Sequence, residues 1–197
     1  MSDRREIVLV RHGETAWTRL RKHTGGRTDI PLTNAGRRQA ELLRARLAGR
    51  LFERVLTSPL SRARETCDLV GFGTQAEVLD DLREWDYGAY DGRTTAEIRS
   101  EVPGWDRWRD GYPLGESAAD VGRRADRVIA ELLEITADGI VFAHGHLLRV
   151  LAARWVEMEA AAGARLALGT CTVSALGFER ETRVIWLWND DTHLAVE

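Results

Sequence analysis

Two of the five histidines in this chain follow short apolar runs. Arg11-His12-Gly13 comes directly after Ile7–Val10, and His144 comes directly after Gly139–Ala143. A neutral imidazole can attack a phosphoryl group and hold it as a covalent intermediate. A glycine after the histidine allows a ligand to approach the backbone closely. His12 is therefore a candidate nucleophile, although a lone histidine at a strand end is more often a structural residue.

Arginine is the second residue type that suggests phosphate chemistry. Of the 28 basic residues, only Lys22 is not an arginine. A guanidinium group binds phosphate through two parallel hydrogen bonds. Arg62 lies in the first turn of a predicted helix, where free backbone N–H groups attract anions, so Arg11 and Arg62 could clamp a phosphate. Codon bias is the simpler explanation of the arginine content, and Arg62 taken alone is typical of a surface position.

The loop Leu82–Gly88 supplies a candidate acid. Glu84 and Asp86 stand beside Trp85 and Tyr87. A carboxyl group against aromatic rings can serve as a proton donor. Taken alone, however, this loop is more typical of a solvated acidic turn.

His144-Gly145-His146 also has an interpretation as a metal site. Two histidines two residues apart on a strand project to the same face. If the strand ends at Ala143, they lie on a turn and share no face. A hydrolytic metal site also needs further histidine or carboxylate ligands, and His12, His23 and His193 do not occur in pairs. The sequence therefore favours a site without metal.

An alternation of strands and helices must position these groups. It predicts an α/β fold, a three-layer α/β/α sandwich whose mostly parallel central sheet has one antiparallel edge strand. The predicted strands are Glu6–Val10, Arg54–Thr57, Ala76–Leu79, Gly139–Ala143, and a hairpin of Thr172–Phe178 with Arg183–Trp188. The predicted helices start at the caps Thr33, Ser58, Thr94 and Ser117, and at Leu147. Ligands bind beyond the carboxyl ends of such strands, which would bring Arg11, Arg62 and His144 together.

Composition restricts the class of protein. The 197 residues suit a single domain over 1–197, and 44% hydrophobic with 30% charged residues is globular. A net charge of −3 argues against a nucleic-acid binder. No apolar run approaches the roughly 18 residues of a membrane span, and none resembles a signal-peptide core. Cys67 and Cys171 form no disulfide framework, so the expected location is cytoplasmic.

Four motifs occur together in one order along the chain, namely Arg11–Thr15, Ser58–Thr66, Glu84–Gly88 with Asp91-Gly92, and Ala143–His146. In this combination the sequence resembles the histidine phosphatase (phosphoglycerate mutase-like) superfamily over nearly its whole length. Within the family it looks most like the actinobacterial acid phosphatases, and next like fungal sedoheptulose-bisphosphatases.

The resemblance implies a role for each motif. His12 would become phosphohistidine. Arg11, Arg62 and His144 would hold the phosphoryl oxygens. Glu84 would protonate the leaving oxygen and then activate water. No metal or other cofactor is implied. The further substrate contacts that we expect are Thr18, Thr24, Gly25 and Gly145.

Thr18 departs from the family pattern, because many members carry Asn at this position. A hydroxyl group can also donate to phosphate, so the departure concerns substrate affinity rather than the chemistry.

Three functions remain open: a metal-independent phosphomonoesterase for small metabolites such as sugar phosphates, a cofactor-dependent phosphoglycerate mutase, and a phospho-ligand binding module. The phosphomonoesterase is favoured. The mutases of this family are longer and carry an insertion after the general-acid loop, whereas Arg93–Gly115 is short here. A phospho-ligand binding module without catalysis is disfavoured, because all five catalytic positions are present. The C-terminal hairpin could present its edge to a second copy, which makes a homodimer possible.

Overall fold

The computed structural model describes residues 5–195, and six strands there form one sheet. The strands are β1 (Ile7–Arg11), β2 (Arg54–Thr57), β3 (Ala76–Val78), β4 (Gly139–Ala143), β5 (Val173–Glu179) and β6 (Thr182–Asp190). Their order is β3-β2-β4-β1-β5-β6. The first four are mutually parallel, while β5 is antiparallel to both of its neighbours. The mostly parallel sheet with an antiparallel pair at one edge is confirmed.

Helices cover both faces of this sheet. They are α1 (Ala16–Arg19), α2 (Asn34–Arg46), α3 (Ser61–Val70), α4 (Thr95–Glu101), α5 (Arg107–Asp110), α6 (Ala118–Leu133) and α7 (Gly145–Trp155). Successive side chains of a strand point to opposite faces. Accordingly, Val8 and Val10 pack into a core with residues of α2 and α3, whereas Ile7 and Leu9 pack into a core with residues of α6 and α7. This arrangement confirms the three predicted layers.

Local capping signals correctly located three helix starts. The hydroxyl groups of Thr33, Thr94 and Ser117 each accept a backbone N–H of the following turn. The short helices α1 and α5 were not predicted, since four residues carry no helical periodicity. α7 begins at Gly145, two residues before the predicted start, with His144 as its N-cap.

The predicted start of α3 is wrong. The helix begins at Ser61, and Ser58 does not cap it. The Ser58 hydroxyl lies 2.7 Å from Nε2 of His144, and its backbone N–H continues the sheet by donating to Phe142. Instead, Asp29 from a distant loop accepts the N–H of Ser61 at 2.9 Å. A long-range contact replaces the local cap.

The loop after β1 packs closely against the first turn of α2. A Cβ atom on Gly13 would lie 2.5 Å from the carbonyl oxygen of Gly36, and one on Gly36 would overlap the backbone of Glu14. Thr66 accepts the N–H of Gly13 at 3.1 Å, and Thr33 donates its N–H to the Glu14 carbonyl at 2.9 Å. The segment that carries His12 is therefore held by α2 and α3.

We expect Gly36→Ala to destabilise the protein, because the added methyl group has only backbone to displace. Overpacking of this kind costs about 1–3 kcal/mol. At an unhindered helical position the same substitution stabilises by up to about 1 kcal/mol. The melting temperature therefore reports the sign directly, and an unchanged or higher value would contradict the close packing.

Candidate active site

The ends of β1 and β4 meet at the carboxyl edge of the sheet. Arg11 pairs with Ala143 in the register of β1 and β4. The next residue, His12, donates its backbone N–H to the Ala143 carbonyl at 3.0 Å. The ring centroids of His12 and His144 are consequently 5.2 Å apart. Strand pairing thus brings together two histidines that are far apart in the chain.

His12 is buried, with 3% of its surface exposed, and its hydrogen bonds define its tautomer. Nδ1 lies 2.7 Å from the carbonyl oxygen of Gly13. A carbonyl oxygen can only accept, so Nδ1 carries the proton and Nε2 keeps its lone pair. Burial, and then the charges of Arg62 and Arg11, hold the pKa of His12 well below its ordinary value of 6.5. The side chain is therefore a neutral imidazole suited to nucleophilic attack.

Arg62 is fully buried, so its interpretation as a surface residue is wrong. Its guanidinium group donates to the carbonyls of Thr28 at 2.9 Å, Gly25 at 3.3 Å and Thr24 at 3.4 Å. The nearest carboxylate oxygen, on Asp29, is 3.8 Å away. Burial lowers the pKa of this guanidinium, although Glu84 and Asp29 oppose the shift. Neutral carbonyls orient the group but leave its charge for an anion.

Arg11 and His144 are each anchored at one end. Arg11 donates through Nη1 to the Leu168 carbonyl at 2.6 Å, and a Cβ on Gly145 would lie 3.1 Å from its Nε. His144 bonds through Nε2 to Ser58, and burial, followed by Arg62, holds its pKa well below 6.5.

Several buried polar atoms of these predicted residues lack a partner among residues 5–195. They are Nε of Arg11, Nε of Arg62, Nδ1 of His144 and Oγ1 of Thr24. A buried polar atom without a partner is costly. An anion with several oxygens would satisfy such a set.

Glu84 is buried at the N-terminus of α7, which excludes the solvated acidic turn. Oε1 accepts the backbone N–H groups of Trp85 and Leu147, each at 2.9 Å. Oε2 accepts the N–H of His146 at 3.0 Å. The carboxyl group is therefore held in one orientation, and it lines the same cavity as His12.

That cavity has a volume of about 270 Å³, close to the lower end of the range for small-molecule pockets. Six of the predicted site residues line it. They are Arg11, His12, Thr18, Thr24, Glu84 and Gly145. Arg62 and His144 are fully buried and are not among the lining residues.

Two predicted substrate contacts have other partners in this structure. The Thr18 hydroxyl donates to the Thr15 carbonyl at 2.9 Å and accepts the N–H of Thr15 at 2.8 Å, which caps α1. The N–H of Gly25 donates to Asp91 at 2.7 Å, while its carbonyl receives Arg62. Gly25 therefore helps to orient Arg62.

Sequence reasoning missed a polar network on the cavity wall. Arg107 donates to Nε2 of His146 at 2.7 Å, to Nε2 of His23 at 3.1 Å and to the hydroxyl of Thr95 at 2.8 Å. Tyr87 hydrogen-bonds to Nδ1 of His146. His146 and Tyr87 belong to the recognised motifs, but no sequence signal marked Arg107.

The described part of the chain contains no cluster of three or more histidine, cysteine, aspartate or glutamate side chains that could hold a metal ion. β4 ends at Ala143, so His144 and His146 lie on a turn and the first turn of α7. They have different partners, Ser58 and Arg107.

We expect the free energy of unfolding to fall as the pH drops below 6.5. Burial lowers the pKa of all five histidines, that of His193 below 6.5 and that of His23 to about 3. The pKa values of His12, His144 and His146 lie well below 6.5. The unfolded chain then binds protons that the folded chain excludes, so each histidine costs about 1.4 kcal/mol per pH unit in this range. Well above pH 6.5 these histidines are neutral in the folded and the unfolded chain, so they no longer lower the free energy of unfolding.

Urea unfolding at about pH 7.5 and about pH 5.5, in buffer without phosphate, measures this loss. His23→Gln removes one titrating group and should make the decline shallower. A stability that is independent of pH over this interval would contradict the burial of neutral histidines.

Comparisons with known proteins identify the family of this chain. The sequence profile of the histidine phosphatase superfamily (branch 1) matches residues 7–191. An acid phosphatase of Mycobacterium tuberculosis is 44% identical, covering 90% of this chain and 88% of that protein. A sedoheptulose 1,7-bisphosphatase of Saccharomyces cerevisiae is 37% identical, covering 75% of this chain and 66% of that protein.

Two further relatives extend the comparison. A probable phosphoglycerate mutase of Klebsiella pneumoniae is 32% identical, covering 95% of this chain and 91% of that protein. The solved structure of an open reading frame product of Mycobacterium tuberculosis superposes with a TM-score of 0.89 at 40% identity, covering 94% of this chain and 97% of that one. The sequence profile and these relatives show that the chain belongs to the histidine phosphatase superfamily, as an enzyme of that family.

Proposed function

We propose that this protein hydrolyses phosphomonoesters of small metabolites, such as sugar phosphates, through a phosphohistidine on His12. The observation that carries the proposal is the state of His12, a buried neutral imidazole whose Nδ1 is bound to the Gly13 carbonyl. Its Nε2 lone pair is thereby free to attack. Arg11, Arg62 and His144 supply the buried polar atoms for the phosphoryl oxygens.

The reaction runs in two steps. In the first, Nε2 of His12 forms a bond to phosphorus, the bond to the ester oxygen breaks, and protonated Glu84 gives its proton to the leaving alcohol. In the second, the Glu84 carboxylate takes a proton from water, the resulting hydroxide attacks phosphorus, and the P–N bond breaks. Inorganic phosphate leaves, and both His12 and Glu84 return to their starting states.

The substrate-binding residues form part of the proposal. Thr24 and Gly145 line the cavity, and the Thr24 hydroxyl has no partner among the described residues. We assign them direct substrate contacts. Gly25 would act through Arg62, and Thr18 would reach substrate once its bond to Thr15 opens.

The relatives favour hydrolysis but also supply the alternative. Proteins named acid phosphatase and sedoheptulose bisphosphatase are the more similar at 44% and 37% identity, whereas the probable mutase is 32% identical. A mutase must retain a doubly phosphorylated intermediate and return its phosphate. A phospho-ligand binding module without turnover is the third candidate.

Three measurements on one substrate panel separate these functions. Phosphate release is measured, with a chelator present, from p-nitrophenyl phosphate, phosphoglycerates, and mono- and bisphosphorylated sugars. Metal-independent hydrolysis predicts turnover under chelation. Conversion of 3-phosphoglycerate to 2-phosphoglycerate faster than phosphate release would identify a mutase. Binding without turnover across the panel would identify a binding module.

Location and assembly complete the proposal. None of the helices within residues 5–195 is long and apolar enough to cross a membrane. Cys67 and Cys171 are buried free thiols, in keeping with the reducing cytoplasm that we propose. β6 forms one edge of the sheet and exposes Trp186 and Leu187, so a homodimer through this edge stays a prediction for light scattering to test.

A further inference from the structure

Many arginines of this protein are neutralised by a carboxylate. Arg109 pairs with Asp110 at 2.7 Å and Arg154 pairs with Asp126 at 2.8 Å, and neither arginine lines the cavity beside His12. Similar pairs occur over much of the described surface. An arginine with such a partner has little charge left for a ligand.

The cavity beside His12 differs from this pattern. Four cationic side chains besides Arg11 line it, and within residues 5–195 none of the four has a carboxylate at ion-pair distance. They are Arg21, Lys22, Arg107 and Arg149. Glu84 is the single acidic residue among the described lining residues, and three backbone N–H groups occupy its oxygens. The cavity is therefore strongly positive in a chain of net charge −3.

Arg107 is held in the cavity wall by neutral groups alone. Its three hydrogen bonds run to His146, His23 and Thr95. A guanidinium group can only donate, so both imidazoles accept at Nε2 and are neutral. Three of the five guanidinium N–H groups are engaged, which leaves two for a ligand. The guanidinium group of Arg107 is therefore fixed in position, and no carboxylate of the described residues neutralises its charge.

Arg149 adds a second positioned guanidinium. It donates to the carbonyls of Gly163 at 3.0 Å and Ala164 at 3.2 Å, and it lies 4.8 Å from the ring centre of Trp108. Burial lowers the pKa of Arg149, and repulsion from the positive charge of Arg107 lowers it further. An anion between them would relieve that repulsion.

The residues that orient Arg107 are different from those that orient the phosphoryl-binding arginine. Arg62 is held by the backbone carbonyls of Thr24, Gly25 and Thr28. Arg107 is held by the side chains of His146, His23 and Thr95. Arg11 and Arg107 nevertheless line the same cavity of about 270 Å³. One small molecule can therefore reach both.

We propose that Arg107, supported by Arg149, Arg21 and Lys22, forms a second anion site that selects phosphomonoesters carrying another anionic group, either a carboxylate or a second phosphate. This inference rests on the proposed function, because it names the substrate class of the same cavity. The site recognises the part of the substrate that does not react.

Matched substrate pairs test this proposal. 3-Phosphoglycerate and glycerol 3-phosphate differ only in a carboxylate against a hydroxymethyl group, and fructose 1,6-bisphosphate is compared with fructose 6-phosphate. We expect the wild-type enzyme to prefer the more anionic member of at least one pair by kcat/KM. Arg107→Gln should reduce that preference roughly 10- to 100-fold, because it removes charge-assisted hydrogen bonds. The pair that responds identifies the anion.

Arg109→Gln is the matched control, since Arg109 lies on the same helix but outside the cavity lining and pairs with Asp110. It should leave the preference within each pair unchanged. Arg21→Gln is the second test variant, because Arg21 is an exposed lining residue whose replacement should not disturb folding. It should reduce the same preference by a smaller factor, even if Arg107→Gln does not fold.

The outcomes separate this inference from the proposed function. Turnover of both members with equal kcat/KM, or equal losses for both members in Arg107→Gln, would overturn the second anion site alone. Absence of turnover with every substrate would overturn the proposed hydrolysis. In that case, calorimetric Kd values for the same pairs test the second anion site. We expect wild-type protein to bind the more anionic member more tightly, and Arg107→Gln to lose that difference.

Discussion

We expect His12→Ala to abolish phosphate release, with a loss of about 10⁴-fold or more, because the variant lacks the proposed nucleophile. The proposed phosphate-binding groups are unchanged in this variant, so substrate affinity should fall far less than turnover. After rapid alkaline quenching, labelled phosphate should be recovered on the wild-type chain and not on the variant. Melting temperatures establish that both proteins are folded.

His193→Gln is the control for this experiment. His193 bonds to the Cys171 carbonyl at 2.9 Å and does not line the cavity, so its replacement should retain turnover and labelling. Label on another residue, or turnover that survives His12→Ala, would exclude His12 as the nucleophile.

The charge state of His12 adds a pH dependence to the same prediction. The nucleophile must be neutral, and burial with Arg62 and Arg11 holds its pKa well below 6.5. Activity should therefore persist in acidic solution until the imidazole becomes protonated. An acid limb of kcat/KM near 6.5 would indicate an unshifted histidine.

Glu84→Gln should lower turnover of alkyl phosphates by about 10²–10⁴-fold, the usual contribution of a general acid. p-Nitrophenyl phosphate should lose much less in the first step, because its leaving group needs little protonation. Glutamine also replaces one acceptor oxygen by an amino group, which cannot accept from the N-terminus of α7. A lower melting temperature is expected as well.

Asp86→Asn separates the loss of a proton donor from a general loss of charge. Asp86 lies two residues away, pairs with Arg27 at 2.7 Å and does not line the cavity with His12. Its replacement should affect the two substrate types alike and weakly. Equal losses of kcat/KM for alkyl and p-nitrophenyl phosphates in Glu84→Gln would exclude Glu84 as the acid, because kcat/KM reports the first step.

The parts of the fold that were predictable from sequence are those with a local signal. Apolar runs marked β1 and β4, and the hydroxyl caps Thr33, Thr94 and Ser117 marked three helix starts. The start of α3 was misplaced because Ser58 is bound to His144 and a distant aspartate replaces it. α1 and α5 were missed because four-residue helices depend on tertiary packing rather than on periodicity.

The candidate site shows the same division. His12, Glu84 and the two motif arginines were identified through the resemblance, whereas residue types alone favoured a surface Arg62 and a solvated Glu84. Both are buried, since loop carbonyls surround one and backbone N–H groups of α7 hold the other. Such partners are backbone atoms, which every residue carries, so the sequence contains no signal for them.

The sequence by itself determined which residue types follow β1 and β4, and hence that a histidine and an arginine stand at the carboxyl edge of a parallel sheet. Only the tertiary structure decided that Nδ1 of His12 is bound to the Gly13 carbonyl, that neutral carbonyls orient the guanidinium group of Arg62, and that Arg107 lines the same cavity as His12. The physical reason is the range of the interactions. Strand and cap signals act within a few residues, whereas burial, tautomer and charge depend on groups that only the folded chain brings into contact.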